Sequence, residues 1–200
     1  MTDQHTTLDP NRTALLVMDY QEGIVGQLPE TGPLLDRVTT AIDDVRGRGG
    51  HVGWVRVAFE DPEFDAVPET SMFAAFAASA ELRAAMRADA PGTRIHARLA
   101  PEPADIQVRK TRVGAFSTTD LEQQLRKREI TTLVLAGLST SGVVLSTVRE
   151  AMDRDYRIVV LRDACADRDA ETHAFLTGTL FPHTAVVVDV AGLSGLWAVQ

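Results

Sequence analysis

The segment Thr131–Glu150, TTLVLAGLSTSGVVLSTVRE, reads as strand, tight turn and helix in succession. A polar Thr131-Thr132 start leads into the apolar run Leu133-Val134-Leu135-Ala136, which suits a buried strand. Gly137 and Ser139-Thr140-Ser141 supply the small and hydroxyl residues of a turn and helix N-cap, with Ser141 as the cap and Ser146 on the helix face. From Gly142 onward, Val143, Val144, Leu145 and Val148 alternate with polar residues, as in an amphipathic helix. In an open α/β sheet, such a junction lies at the carboxyl end of a strand, where ligands bind.

The same unit recurs on both sides of this segment. Thr13–Met18 is an apolar strand ending at Asp19, preceded by a start expected to fray. Gly32-Pro33 opens a helix through Leu34, Leu35, Val38, Ile42 and Val45, stopped by Gly49-Gly50. His51–Val57 is the next strand, followed by Ala58-Phe59. Residues 60–105 carry five prolines and read as an irregular excursion, with one or two short helices within Ser71–Arg87. Such an excursion suits either a binding segment or a surface against another subunit. Ile106–Val108 is a short strand with Arg109, Lys110 and Thr111 at its end, and Thr119–Glu122 has the spacing of a capping box. Arg157–Leu161, a helix over about 170–180 and Ala185–Val188 complete the alternation. The pattern predicts one domain over residues 1–200: an α/β fold with a doubly wound, mostly parallel sheet and helices on both faces.

Two hundred residues with 44% hydrophobic content suffice for one sizeable core. The net charge of -8 argues against an unaided nucleic-acid partner. A single cysteine, Cys165, suits a reducing compartment, and the polar N-terminus lacks a signal-peptide core. No apolar run reaches the roughly 20 residues that span a bilayer, so the expectation is a cytoplasmic protein without a membrane partner. The five histidines are scattered without a metal-ligand pair, and GLSTSG lacks the Lys-Ser/Thr of a phosphate loop. Neither a metal nor another cofactor is expected.

Three strand ends converge in this fold: Asp19, Lys110 and the turn after Ala136. A carboxylate and an ammonium at neighbouring strand ends can orient a reacting group and hold one another charged. On spacing alone, Asp19 is equally a turn former and Lys110 a solvated strand end. Gln21, Arg56, Phe59, Arg112 and Phe116 lie near strand ends and are the candidate substrate contacts, with Arg56 or Arg112 suited to a carboxylate. Arg56 and Arg112 are equally suited to pairing with acidic neighbours.

Leu16-Val-Met-Asp19-Tyr-Gln21, Lys110-Thr-Arg-Val-Gly-Ala-Phe116 with Thr119-Asp-Leu121, and Leu135-Ala-Gly-Leu-Ser-Thr140 together resemble the isochorismatase-like (cysteine hydrolase) superfamily. The resemblance runs from Thr13 to about Val188 and implies the doubly wound fold, a small-molecule substrate and self-association. The apolar Leu193–Trp197 segment is available to a subunit interface or to its own domain. Members commonly use an Asp–Lys–Cys triad, whose first two positions match Asp19 and Lys110. The nucleophile position falls on Val143, which has no reactive group. Cys165 follows a different strand and reads as a small buried residue. The resemblance also implies a cis peptide between Leu138 and Ser139, which aims the Ser139 and Val143 backbone N–H groups at a developing anion.

Isochorismatases proper lack the cysteine, carry glycine near that position and cleave a vinyl ether without a covalent intermediate, with the aspartate handling protons. That precedent implies a hydrolase without a thiol, in which Asp19 is the general acid/base and Lys110 its partner. The turn lacks the sequence typical of isochorismatases, which disfavours isochorismate itself, and no histidine in these motifs offers a base to a serine nucleophile. Val143 equally suits a catalytically silent relative that binds a small molecule or serves as an assembly subunit.

Overall fold

The computed structural model describes residues 7–198; residues 1–6, including His5 and the outer part of the expected frayed start, lie outside the described residues. The elements, in chain order, are β1 (Thr13–Met18), α1 (Glu22–Val25), α2 (Thr31–Gly47), β2 (His51–Val57), α3 (Asp61–Asp65), α4 (Ala74–Ala78), α5 (Ala80–Met86) and β3 (Ile106–Lys110). Then come α6 (Leu121–Lys127), β4 (Thr132–Leu138), α7 (Leu145–Met152), β5 (Arg157–Ala166), α8 (Ala170–Phe175), β6 (Val186–Val188) and α9 (Val190–Leu193).

The six strands form one sheet in the order β3-β2-β1-β4-β5-β6, and every pairing is parallel. The sheet is thus wholly rather than mostly parallel. All six residues of β1 are buried because both faces of this central strand are covered. Leu15 and Val17 pack in one apolar cluster with Leu35, Val38 and Ile42 of α2 and Leu193 of α9. Ala14, Leu16 and Met18 pack in the other with Leu121 and Leu125 of α6 and Val148 and Ala151 of α7.

From β1 the chain builds outward through β2 to β3, then returns to place β4 on the other side of β1. The winding direction reverses between β1 and β4, and the crevice beyond their carboxyl ends is the natural binding position. Met18 pairs with Gly137 there, so Asp19 leaves β1 beside Leu138, the last residue of β4.

Several boundaries differ from those expected. β3 runs two residues further, making Lys110 a strand residue. β5 continues to Ala166 past a register shift opposite Leu135–Gly137. Within the longer strand, Arg162 pairs with Asp189 at 2.6 Å, and Asp163 accepts the Val190 N–H at 2.8 Å. The expected capping box at Thr119–Glu122 does not form; Asp120 is the N-cap, and Thr119 Oγ1 accepts from Leu121 N at 3.3 Å. Residues 7–12 are not frayed: Leu8 is buried, donates its N–H to Leu196 O at 2.6 Å and accepts from Ala198 N at 3.0 Å. Trp197 folds back onto its own domain, where its Nε1 donates to Asp44 Oδ2 at 2.6 Å. No helix among the described residues is long and apolar enough to cross a membrane.

Candidate active site

Asp19 turns the chain out of β1 in the left-handed region, at φ 59°, while its N–H donates to Val55 O at 2.8 Å. The next two side chains lock that turn. Tyr20 is buried and donates its hydroxyl to Ala164 O at 2.8 Å. Gln21 spends its whole amide on backbone: Oε1 accepts from Val57 N at 2.8 Å, and Nε2 donates to Val57 O and Thr93 O, both at 2.9 Å. The expected substrate contact at Gln21 is therefore a brace between β2 and the turn after β1.

Lys110, the last residue of β3, is 2% exposed and reaches Asp19 Oδ2 with Nζ at 2.9 Å. Its Nζ also donates to Arg112 O at 3.2 Å, so Arg112 contributes a carbonyl while its guanidinium turns back to Thr111 O at 2.6 Å. Asp19 Oδ1 is buried without a hydrogen-bond partner among the described residues. Burial pushes the Asp19 carboxyl up to about 6, against the opposing attraction of Lys110. A buried carboxylate with one oxygen held by a cation and the other unsatisfied is poised to exchange a proton near neutrality.

The turn after β4 supplies the neighbouring wall. The Leu138–Ser139 peptide bond is cis. Ser139, rather than the expected Ser141, is the N-cap, with Oγ accepting from Gly142 N at 3.1 Å. Thr140–Val144 forms a π-type turn before α7, and Val143 within it is 2% exposed among the apolar residues of that face. Ser141 instead donates its N–H to Asp167 Oδ2 at 2.7 Å. Although no histidine was expected here, His173 of α8 places Nδ1 2.8 Å from Thr140 Oγ1. Thr140 is wholly buried, so this contact fixes the turn and does not expose a nucleophile. Burial lowers the His173 pKa, partly opposed by Asp167.

A cleft of about 590 Å³ opens at the ends of β2 and β4, beside Asp19, Lys110 and Val143, none of which lines it. Its floor includes Val57, the register partner of Lys110, together with Leu138 and Ser139. The irregular excursion supplies an apolar wall from Met72, Phe73, Phe76 and Met86, while Asp167 and Arg168 stand opposite. The excursion was expected as a binding segment or a subunit surface without these wall residues being singled out, and His173 of α8 went unrecognised because it lies outside the short motifs. The available signal was topology: β5 adjoins β4, so residues following β5 must border the turn that follows β4.

Other expected contacts lie elsewhere. Phe59 is buried behind the wall, 5.4 Å from Phe73 between ring centroids. Phe116 is buried on the α6 and α7 face, stacked 6.0 Å from Tyr156. Arg56 lines a different cleft. Cys165 is buried within the core, where loss of solvent pushes its thiol up to about 12, so it stays protonated.

The isochorismatase domain model matches residues 13–192. The chain is 33% identical over 175 residues to the isochorismatase family protein YwoC of Bacillus subtilis, covering 88% of each. It is 30% identical over 177 residues to the ureidoacrylate amidohydrolase RutB of Methylobacterium radiotolerans, covering 78% of this chain and 68% of the relative. The structure of an isochorismatase family protein from Burkholderia thailandensis superposes with a TM-score of 0.77 at 28% identity, covering 95% of this chain and 97% of that one. With its parallel six-stranded sheet and its match over nearly the whole length, the chain belongs to the isochorismatase family of hydrolases.

Proposed function

We propose that the protein hydrolyses a small molecule at a vinyl-ether or amide-type C–N bond without a covalent thiol intermediate. The observation that carries this reading is the buried Asp19–Lys110 pair, 2.9 Å apart, with Asp19 Oδ1 left unpartnered. With an amide, the Asp19 carboxylate takes a proton from water as the water oxygen bonds to the carbonyl carbon, and that proton passes to the leaving nitrogen as the C–N bond breaks. With a vinyl ether, protonated Asp19 first gives its proton to the vinyl carbon, and water adds to the resulting oxocarbenium carbon to form a hemiketal that collapses to carbonyl and alcohol. Lys110 holds the carboxylate in place and offsets its charge. Backbone N–H groups of Ser139 and Val143 stabilise the oxyanion that develops when water attacks an amide carbonyl. RutB, named for an amide-cleaving activity, makes amides and ureido compounds natural first substrates.

Val143 is the observation favouring a second reading, a silent family member that binds a small molecule or serves as an assembly subunit. Its side chain belongs to the core and has no chemistry to offer. A panel of amide, N-carbamoyl and vinyl-ether compounds separates the two. Turnover of at least one compound, falling at least about a hundredfold in Asp19→Asn, is the expected result. Undiminished turnover in that variant would remove Asp19 from the mechanism. No turnover, with saturable binding that tolerates Asp19→Asn, would establish the silent reading. The family resemblance points to a homo-oligomer, for which light scattering is expected to return a mass above 21.7 kDa.

A further inference from the structure

The sheet edge formed by β2 and β3 carries a second cleft, of about 350 Å³, lined by Trp54, Arg56, Arg94, Ile95, Gln107 and Arg109. It shares no lining residue with the cleft over the strand ends. Arg109 and Lys110 are successive strand residues, so their side chains take opposite faces of the sheet. The arginine cleft is thus separated from the Asp19–Lys110 pair by the sheet itself.

Arg56 and Arg109 are direct partners in the β2–β3 register, placing two cations side by side about 4.8 Å apart at the backbone. Like charges in such a position repel. The protein offsets that repulsion chiefly at Arg109, which pairs with Glu63. Arg109 donates through Nη1 to Glu63 Oε2 at 2.5 Å and to Ala58 O at 3.0 Å. Arg56 donates through Nη1 to the carbonyls of Ala88 and Thr93, at 3.1 and 3.3 Å, and pairs with no carboxylate among the described residues. The remaining N–H groups of both guanidiniums make no hydrogen bond among the described residues. Arg94 is exposed, and its side chain makes no hydrogen bond or ion pair among the described residues. No acidic residue lines the cleft, although the chain as a whole carries a net charge of -8. Burial, and then the charge of Arg109, lowers the pKa of Arg56, and the charge of Glu60 opposes them.

We propose that this cleft is a binding site for a small oxyanion, the phosphate or carboxylate group of a ligand, held by Arg56, Arg94 and Arg109. Planar guanidiniums match both groups, each offering paired N–H donors to two oxygens. Ile95 gives the ligand's carbon portion an apolar contact.

Isothermal titration calorimetry on the full chain, with inorganic phosphate and separately with citrate at constant ionic strength, tests the site. At least one of them is expected to saturate one site per chain, and their order of affinity identifies the preferred group. Arg94→Gln is expected to weaken that binding about tenfold and Arg94→Glu to abolish it, since each removes a charge-assisted donor. The melting temperature of either unliganded variant should match the wild type, because Arg94 holds nothing within the protein. Absence of saturable binding for both anions at millimolar concentration would overturn the proposal. Equal affinity in wild type and Arg94→Gln would do the same.

Discussion

At Asp19, one residue couples the chemistry to stability. With its carboxyl raised to about 6, kcat/KM on an amide substrate is expected to rise with pH along a limb centred near that value. The limb should vanish in Asp19→Asn, and a falling limb would recast Asp19 as the acid. The folded chain also binds this proton more tightly than the unfolded chain, where the ordinary value is 3.8. The associated stabilisation is complete below the unfolded value and lost as pH rises through about 6. Unfolding free energy of wild type minus Asp19→Asn should therefore fall by roughly 3 kcal/mol across that interval, from a shift of about two units at 1.36 kcal/mol each. Urea titrations at the two ends of the interval measure it. The aspartate and lysine were legible as residues at strand ends, but not their burial. Neither spacing nor composition tells a solvated lysine from one 2% exposed against a carboxylate.

The strand–turn–helix unit from β4 to α7 depends on close approach. A Cβ on Gly137 would stand 2.8 Å from Val144 Cγ2 and 3.2 Å from Met18 Cε, so neither the turn nor β1 leaves room for a methyl group. Gly137→Ala is expected to cost about 1–3 kcal/mol through overpacking. Equilibrium denaturation checks this, and an unchanged midpoint would show that the turn yields easily. The same unit is pinned from outside by the Thr140–His173 contact. Thr140→Val is expected to cost about 1 kcal/mol, the net worth of that hydrogen bond. Local pattern located this unit within two residues at each end, since its apolar strand and helical periodicity are set by neighbouring residues. The capping residue was misassigned because Ser139, Thr140 and Ser141 are all plausible caps, and only backbone geometry selects Ser139.

Across the whole molecule, the two ends of the described chain close on one another, and Trp197 anchors them against α2 through Asp44. Trp197→Ala is expected to cost about 3–5 kcal/mol, the usual penalty for deleting a buried aromatic side chain. Chemical denaturation tests it; a negligible loss would mean that the indole's contacts contribute little. The sequence by itself determined the α/β alternation, the strands, and the placing of Asp19, Lys110 and the Gly137–Val143 turn at strand ends, because apolar periodicity and turn chemistry are local properties. Only the tertiary structure decided that Gln21 braces backbone, that Phe59 and Phe116 lie in the core, and that Arg56 serves another cleft. Those outcomes depend on which face a side chain takes and which strand stands beside it. Arg56 and Arg109 are 53 positions apart in sequence, yet they become neighbours once β2 and β3 pair in register.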